Sequence, residues 1–180
     1  WLGIPFAQPP VGELRWRAPK DPQPWSGVRQ AQQFGAGCLQ GGSTLGPGTN
    51  NTFDDTVATT LNQPVGSEDC VTLNIWRPTN DQKNLPVIVF FYGGSNIAGY
   101  AADPLYDGAE LARRANAVVV TANYRVGVMG WLSLDTLRTG NVLDDSGNFG
   151  TLDTIAALKY VSRNIGAFGG DQGNVTVMGQ

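Results

Sequence analysis

The chain has 180 residues, of which 41% are hydrophobic and 15% are charged, so it is long enough for one domain and too apolar for a disordered chain. Its apolar runs are too short to span a membrane, and we expect no stable membrane insertion. The net charge of −3 and the lack of a basic stripe argue against a nucleic-acid partner.

The first third of the chain predicts long ordered loops rather than regular structure. Residues 1–25 are rich in proline, arginine and tryptophan, which indicates an extended segment that wraps the surface. Residues 30–66 are polar and glycine-rich, and we interpret most of them as a loop closed by Cys38 and Cys70. An even pair of cysteines in an acidic chain suits an oxidising compartment. We therefore expect a disulfide, with two buried free thiols as the alternative, and infer a secreted or extracellular protein.

Four apolar runs predict the strands of a central sheet. Residues 73–76 form a short strand that ends before Arg77-Pro78. Residues 86–91 and 117–124 are continuous apolar runs rich in β-branched side chains, typical of strands that are buried on both faces of an α/β sheet. Residues 175–178 predict a last strand.

Two amphipathic helices are predicted between these strands. The first covers residues 107–114 and the second covers 151–165, with a long connection over 127–148 and a turn over 167–174. The apolar face of the second helix consists of Leu152, Ile155, Leu158, Val161 and Ile165. The alternation of strands and helices predicts an α/β fold with a mostly parallel central sheet and crossover helices.

A glycine turn follows the first of the continuous apolar strands. Tyr92 ends that strand, and Gly93, Gly94 and Ser95 come directly after it. Adjacent glycines at the carboxyl end of a central strand expose backbone N–H groups and let the chain approach a ligand closely. Three uses are open at this point: a phosphate site, an oxyanion hole or a plain tight turn. The spacing does not fit a dinucleotide-binding loop, because Pro104 and polar residues precede any helix.

The last residues of the chain match part of a nucleophile elbow. Such an elbow is a sharp strand-to-helix turn of pattern G-x-S-x-G whose first glycine follows a strand. Gly179 and Gln180 match its first two positions, which alone is weak because a glycine after a strand is common. The chain contains no histidine, so a mechanism that needs an imidazole must obtain it from outside these residues.

Four longer stretches carry a family resemblance. They read "GIPFAQPPVGELRWRAP", "SEDCVTLNIWRP", "NYRVGVMGWLSL" and "GNFGTLDTIAALKYVSRNIGAFGGDQGNVTVMG". Together they resemble the type-B carboxylesterase family of α/β-hydrolases, which includes the cholinesterases and many bacterial and fungal esterases and lipases. The resemblance covers residues 3–180 and is weakest over 40–66. It implies that residues 1–180 are a partial α/β-hydrolase domain, the amino-terminal third or so of a larger enzyme, truncated just before the nucleophile elbow.

The resemblance implies a serine esterase mechanism. Gly94 and Ser95 take the place of the backbone N–H donors of the family's oxyanion hole, and Gly93 shapes the turn. A serine after Gln180 would attack an ester carbonyl, and a histidine and an acid would come from later sequence. Such chemistry requires no metal or cofactor, and we expect the 180-residue chain alone to be inactive.

The resemblance also implies supporting contacts. Cys38 and Cys70 match the family's first disulfide. Arg15 and Glu68 match a buried ion pair that ties the amino-terminal segment to the cysteine loop, with a solvated surface arginine as the alternative for Arg15. We see no metal-binding pattern among three other acidic residues and interpret them as loop and helix-start residues: Asp144, Asp145 and Asp153.

Two departures from the family pattern bear on the substrate. Gln180 stands where many members carry glutamate, which removes a negative charge. Residues 54–66 contain no aromatic side chain, whereas cholinesterases hold a choline-stacking tryptophan in that stretch. We therefore expect a neutral small-molecule or lipid ester, with Tyr92 and Gln180 as candidate binding residues. The oligomeric state stays open.

Two alternative interpretations remain. The same fold includes adhesion proteins that have lost the nucleophile and bind partners through their surface. The intact turn at 93–95 favours catalysis, because a binding protein need not keep it. A small standalone α/β domain without chemistry is the second alternative, and it would expose a sheet edge and an apolar helix face.

Overall fold

A mixed sheet of five strands forms the centre of the protein. The computed structural model describes all 180 residues. The strands, in chain order, are β1 (Ile4–Pro5), β2 (Gln40–Gly41), β3 (Pro64–Val65), β4 (Thr72–Trp76), β5 (Leu85–Phe91), β6 (Val118–Ala122) and β7 (Gly170–Gly179). The central sheet has the order β1-β4-β6-β5-β7, whereas β2 and β3 pair in a separate small sheet.

Three α-helices accompany the sheet: α1 (Ala109–Ala115), α2 (Gly127–Gly130) and α3 (Phe149–Asn164). Short 3₁₀ turns occur at Gly12–Leu14, Pro104–Tyr106, Asp135–Leu137 and Ile165–Phe168. The two predicted helices are confirmed, with ends that differ by no more than two residues. The predicted long connection contains α2 and one 3₁₀ turn. No helix has the length and hydropathy that crossing a bilayer requires.

The sheet is only partly parallel. Strand β5 pairs in parallel with both β6 and β7, as predicted. Strand β4 runs antiparallel to β6, and β1 antiparallel to β4, so the prediction of a mostly parallel sheet is wrong at this edge. The cause is the short connection over residues 77–84, because a crossover between parallel strands needs about a dozen residues or more.

Burial explains why the central strands read as apolar runs. All five residues of β6 are buried, as the run over 117–124 predicts. In β5 the side chains of Leu85, Val87 and Val89 are buried, whereas Pro86 is exposed. These strands share one apolar core with β4 and with the inner side of α3.

Strand β7 begins earlier than the sequence predicts. Residues 170–174 belong to the strand rather than to a turn, and a bulge lies in their pairing with β5. Leu85 pairs with Gly170, but Val87 pairs with Val175, so β7 inserts extra residues opposite β5. Glycine and polar residues in this stretch concealed the strand, because a bulge tolerates both. Beyond the bulge the pairing is regular and ends with Phe91 opposite Gly179.

The face that α3 turns to the core differs from the predicted one. Of the five predicted residues, Val161 and Ile165 are buried, whereas Ile155 is 41% exposed. The remaining positions of the inner face are small, aromatic or charged: Phe149, Gly150, Asp153 and Ala157. A buried aspartate in this stripe is the reason that hydrophobicity alone misplaced the face.

Candidate active site

The glycine turn after β5 has a strained backbone and two unpaired N–H groups. Gly94 has φ +120°, and the next two residues, Ser95 and Asn96, have φ 57° and 60°. Each non-glycine residue in this left-handed region costs about 1–2 kcal/mol. The N–H groups of Gly94 and Ser95 donate to no acceptor within the chain. Since strain and free donors concentrate at functional sites, the turn can receive an anion or a developing oxyanion.

The atoms that surround this turn explain why two of its positions are glycine. A Cβ atom at Gly93 would lie 2.6 Å from Oε1 of Gln180 and 2.9 Å from its Cβ. A Cβ atom at Gly94 would collide with the carbonyl oxygen of Ala98, in addition to the unfavourable φ. Inside the turn, the Gly94 carbonyl accepts hydrogen bonds from the N–H groups of Ile97 and Ala98, at 3.0 and 3.2 Å. Alanine at position 94 would therefore shift the two donors, whereas alanine at position 93 would displace the Gln180 side chain.

Two contacts fix the far side of the turn. The N–H of Gly127, at the start of α2, donates to the Asn96 carbonyl at 2.6 Å. The buried amide of Gln40 accepts from the Gly99 N–H at 2.9 Å and donates to the Gly99 carbonyl at 3.0 Å. Gln40 lies two residues after Cys38, so the cysteine loop reaches the turn through this amide.

Gln180 lies against the turn. Because β7 pairs with β5 up to Gly179, the next residue arrives beside Gly93. The Tyr106 hydroxyl donates to Oε1 of Gln180 at 3.2 Å and holds the amide in place. Burial raises the pKa of Tyr106, so its hydroxyl stays protonated and remains a donor. The structure thus brings Gln180, a predicted binding residue, to the turn, where it contacts a tyrosine that sequence reasoning missed.

Tyr92 is buried beneath the turn. Its hydroxyl donates to the Tyr124 carbonyl at 2.7 Å, and burial raises its pKa well above the usual range for tyrosine. A Cβ atom at Gly99 would collide with the Tyr92 ring, so the turn folds back over this ring. The hydroxyl is therefore occupied, and a role for Tyr92 in binding stays a prediction.

An open cleft lies beside the ends of β5 and β7. It has a volume of about 430 Å³ and includes Tyr92 and Asn96, on either side of the turn, together with residues of α3 and of the connection before it. Its wall contains Phe91, Asn96, Trp131, Thr151, Met178 and Gln180. None of the lining residues is charged. Elsewhere, no group of three or more acidic, histidine or cysteine side chains is placed to hold a metal ion.

Comparison with known proteins decides the family. The model of the carboxylesterase family matches residues 1–180. The chain belongs to the carboxylesterase family. The resemblance to α/β-hydrolases that the sequence stretches indicated is thereby confirmed.

Several relatives of this carboxylesterase-family chain share about two-fifths of its residues. Para-nitrobenzyl esterase of Bacillus subtilis (strain 168) is 42% identical over 180 residues, which cover 100% of this chain and 34% of that protein. Fumonisin B1 esterase of Sphingopyxis macrogoltabida is 45% identical over 181 residues, which cover 100% of this chain and 31% of that protein. A solved carboxylesterase structure from Geobacillus stearothermophilus has a TM-score of 0.82 at 40% identity. The match covers 99% of this chain and 33% of that protein. The chain spans about a third of the length of these relatives.

The disulfide of this carboxylesterase-family chain is present as predicted. Cys38 and Cys70 are bonded, with their Cα atoms 4.9 Å apart, and they close a loop with a sequence separation of 32. A closed loop of this length stabilises a fold by about 3–4 kcal/mol in the chain-entropy model. Through Gln40, this constraint extends to the end of the glycine turn.

The Arg15–Glu68 ion pair forms but is not buried. The closest N–O distance is 2.8 Å, and the side chains are 42% and 21% exposed. The predicted ion pair is therefore present, but the prediction that it is buried is wrong, because the amino-terminal segment lies on the surface. Hydrogen bonding to Glu68 raises the pKa of Arg15, although solvent screens such a pair.

The buried ion pair of the chain is a different one, Arg125–Asp153, whose side chains are 3% and 0% exposed. The Asp153 carboxylate accepts from the backbone N–H, Nε and Nη2 of Arg125, at 3.0, 2.8 and 2.8 Å. Burial raises the pKa of Asp153, and the bonds from Arg125 oppose that effect. The interpretation of Asp153 as a plain helix-start residue is wrong. The pair instead anchors α3 to the segment whose Gly127 holds the glycine turn.

Proposed function

We propose that the chain is the amino-terminal part of a carboxylic ester hydrolase and that it supplies two oxyanion donors, the N–H groups of Gly94 and Ser95. The observation that carries this proposal is the pairing of two facts. These N–H groups have no acceptor within the chain. They follow the carboxyl end of a central strand, between Tyr92 and Asn96, which both line an open, uncharged cleft. Such positions are where α/β folds bind ligands.

The mechanism is acyl transfer through a serine. We propose that the residue after Gln180 is a serine whose hydroxyl oxygen attacks the ester carbonyl carbon, while a histidine from later sequence takes the proton. The carbonyl oxygen becomes an oxyanion that accepts hydrogen bonds from Gly94 and Ser95, and each donor contributes about 3 kcal/mol to transition-state stabilisation. Collapse expels the alcohol, which receives the proton, and water then releases the acid from the acyl-enzyme.

The substrate class is a neutral ester. The cleft has no charged wall, and Gln180 contributes an amide rather than a carboxylate. A cationic substrate would lack both an anionic partner and, over residues 54–66, an aromatic one. The names of the relatives, among them para-nitrobenzyl esterase and fumonisin B1 esterase, support small-molecule esters of varied shape. An open cleft of about 430 Å³ suits a short acyl or aryl group.

The proposal extends to the domain and its location. Residues 1–180 are part of a single α/β-hydrolase domain of a longer protein, since the relatives they match are about three times as long. The Cys38–Cys70 disulfide favours a secreted or extracellular protein, because disulfides persist in oxidising compartments.

Hydrolysis by the complete protein tests the proposal. We expect turnover of p-nitrophenyl acetate and butyrate, and inactivation by a fluorophosphonate with one covalent adduct on the residue after Gln180. The ratio of butyrate to dodecanoate turnover then separates an esterase from a lipase. No turnover, together with a residue other than serine after Gln180, contradicts the proposal and supports the adhesion-type relative.

A further inference from the structure

Tyr92 and Tyr124 form a reciprocal pair beneath the glycine turn. Tyr92 follows β5, and Tyr124 follows the neighbouring strand β6. The Tyr124 hydroxyl donates a hydrogen bond to the Tyr92 carbonyl at 2.8 Å. In the opposite direction, the Tyr92 hydroxyl donates to the Tyr124 carbonyl. The two rings stack with their centroids 4.4 Å apart and their planes 15° from parallel. Both side chains are buried, so the hydroxyls depend on each other's backbone for partners.

The two hydrogen bonds act on different segments. The Tyr92 carbonyl belongs to the planar peptide unit that leads into Gly93, so a donor on this oxygen sets the direction in which the turn begins. The Tyr124 carbonyl belongs to the segment after β6, which leads towards α2. Of these two hydroxyls, it is therefore that of Tyr124 that holds the start of the glycine turn.

The start of the turn is where such a bond has most effect. Gly93 and Gly94 carry no side chains that packing could hold, and glycine has more backbone freedom to lose than any other residue. The other anchors of the turn, Gly127 and Gln40, act on Asn96 and Gly99, beyond the two donors. The Tyr124 hydroxyl supplies the opposing anchor on the strand side.

We propose that Tyr124 is a positioning residue of the oxyanion turn, an inference that rests on the proposed function. Its hydroxyl fixes the Tyr92 carbonyl, and the peptide units that follow then present the N–H groups of Gly94 and Ser95 before substrate arrives. Donors that are preorganised in this way need no rearrangement when the oxyanion forms. Burial raises the pKa of Tyr124 to about 12, so the hydroxyl remains a donor at neutral pH.

Three tyrosine-to-phenylalanine variants of the complete protein separate positioning from stability. Phenylalanine keeps the ring, so each variant removes one hydroxyl. Tyr124→Phe removes the bond to the turn. Tyr92→Phe removes two buried bonds to the other segment, the one donated to the Tyr124 carbonyl and the one accepted from the Tyr124 N–H at 3.3 Å. Tyr100→Phe is the neutral control, because the Tyr100 hydroxyl is buried next to the turn and has no hydrogen-bond partner.

We expect Tyr124→Phe to lower kcat for p-nitrophenyl butyrate about tenfold with KM within about twofold, less than the loss of a whole oxyanion donor. Binding of a trifluoromethyl ketone, which mimics the tetrahedral oxyanion, should weaken by the same factor as kcat/KM. Tyr92→Phe should lower the melting temperature at least as much as Tyr124→Phe, because it removes two buried hydrogen bonds rather than one, but it should lower kcat by less than about threefold. Tyr100→Phe should leave kcat unchanged.

Equal losses of kcat in Tyr124→Phe and Tyr92→Phe, or unaltered binding of the ketone by Tyr124→Phe, would overturn the positioning role while leaving the proposed function intact. A wild-type protein that hydrolyses no ester would overturn both.

Discussion

Removal of the Asp153 carboxylate should destabilise the complete protein strongly. Asp153→Ala leaves the Arg125 guanidinium, which is 3% exposed, without its charged partner. Three hydrogen bonds are lost, and only the bond from Nη2 to the Arg17 carbonyl at 2.9 Å remains, since Nη1 already has no partner. Breaking a buried pair in this way costs about 3–5 kcal/mol. This is a large part of the roughly 5–15 kcal/mol by which a typical protein is stable.

Denaturation in guanidinium chloride, followed by tryptophan fluorescence, measures this loss in the free energy of unfolding. Asp21→Ala is the matched control, because Asp21 forms an exposed ion pair with Arg163 and its removal should cost less than about 1 kcal/mol. The double variant Arg125→Met/Asp153→Leu should recover most of the loss, since it leaves no buried charge. A loss below about 1 kcal/mol for Asp153→Ala would refute the reasoning that the buried charge dominates this site.

Three further predictions concern activity. Gly94→Ala should lower kcat about 10²-fold or more, because its Cβ collides with the Ala98 carbonyl and displaces a donor, whereas Gly41→Ala, whose Cβ meets nothing within 4 Å, should have no effect. Gln180→Glu should raise the ratio of kcat/KM for butyrylthiocholine to kcat/KM for p-nitrophenyl butyrate about fivefold, since a nearby unit charge is worth roughly 1 kcal/mol in water. An unchanged ratio would contradict the argument that Gln180 contributes to a preference for neutral esters. The 180-residue chain alone should not hydrolyse p-nitrophenyl acetate, because it contains no histidine, and turnover by the pure chain would refute this.

Much of the fold could be predicted from local patterns, and the exceptions have long-range causes. The runs at β5 and β6 indicated buried strands, because β-branched residues in a short continuous run fit a sheet covered on both faces. The direction of β4 depends on the length of the connection that follows it. The bulge in β7 depends on how β5 and β7 pair over residues 85–87.

The candidate site was predictable where backbone chemistry decides it. Adjacent glycines after a strand indicated the turn, whereas the position of Gln180 beside it follows from the pairing of β7 with β5. The partners that hold these residues come from distant parts of the chain, as Gln40, Tyr106 and Tyr124 illustrate. Each looks like an ordinary polar or aromatic residue in the sequence, and only the three-dimensional contacts assign it a role.

Local sequence patterns could not predict the burial of Asp153, because its partner also lies in a distant part of the chain. A charged residue counts against a core face in any hydrophobic periodicity, and Ile155 counts in favour of one. The observed face follows the partner, because Arg125 lies three residues after β6 and its buried guanidinium pairs with a carboxylate inside the protein. No single stretch of the sequence contains both members of this pair.

A crystal structure of the complete protein with a phosphonate bound covalently to its nucleophile tests the central claim most directly. The phosphonyl oxygen of such an adduct stands in for the oxyanion of the tetrahedral intermediate. The account predicts that this oxygen lies about 2.7–3.1 Å from the backbone nitrogens of both Gly94 and Ser95. An adduct whose oxygen points away from the glycine turn, or that forms on a residue other than the one after Gln180, would contradict it.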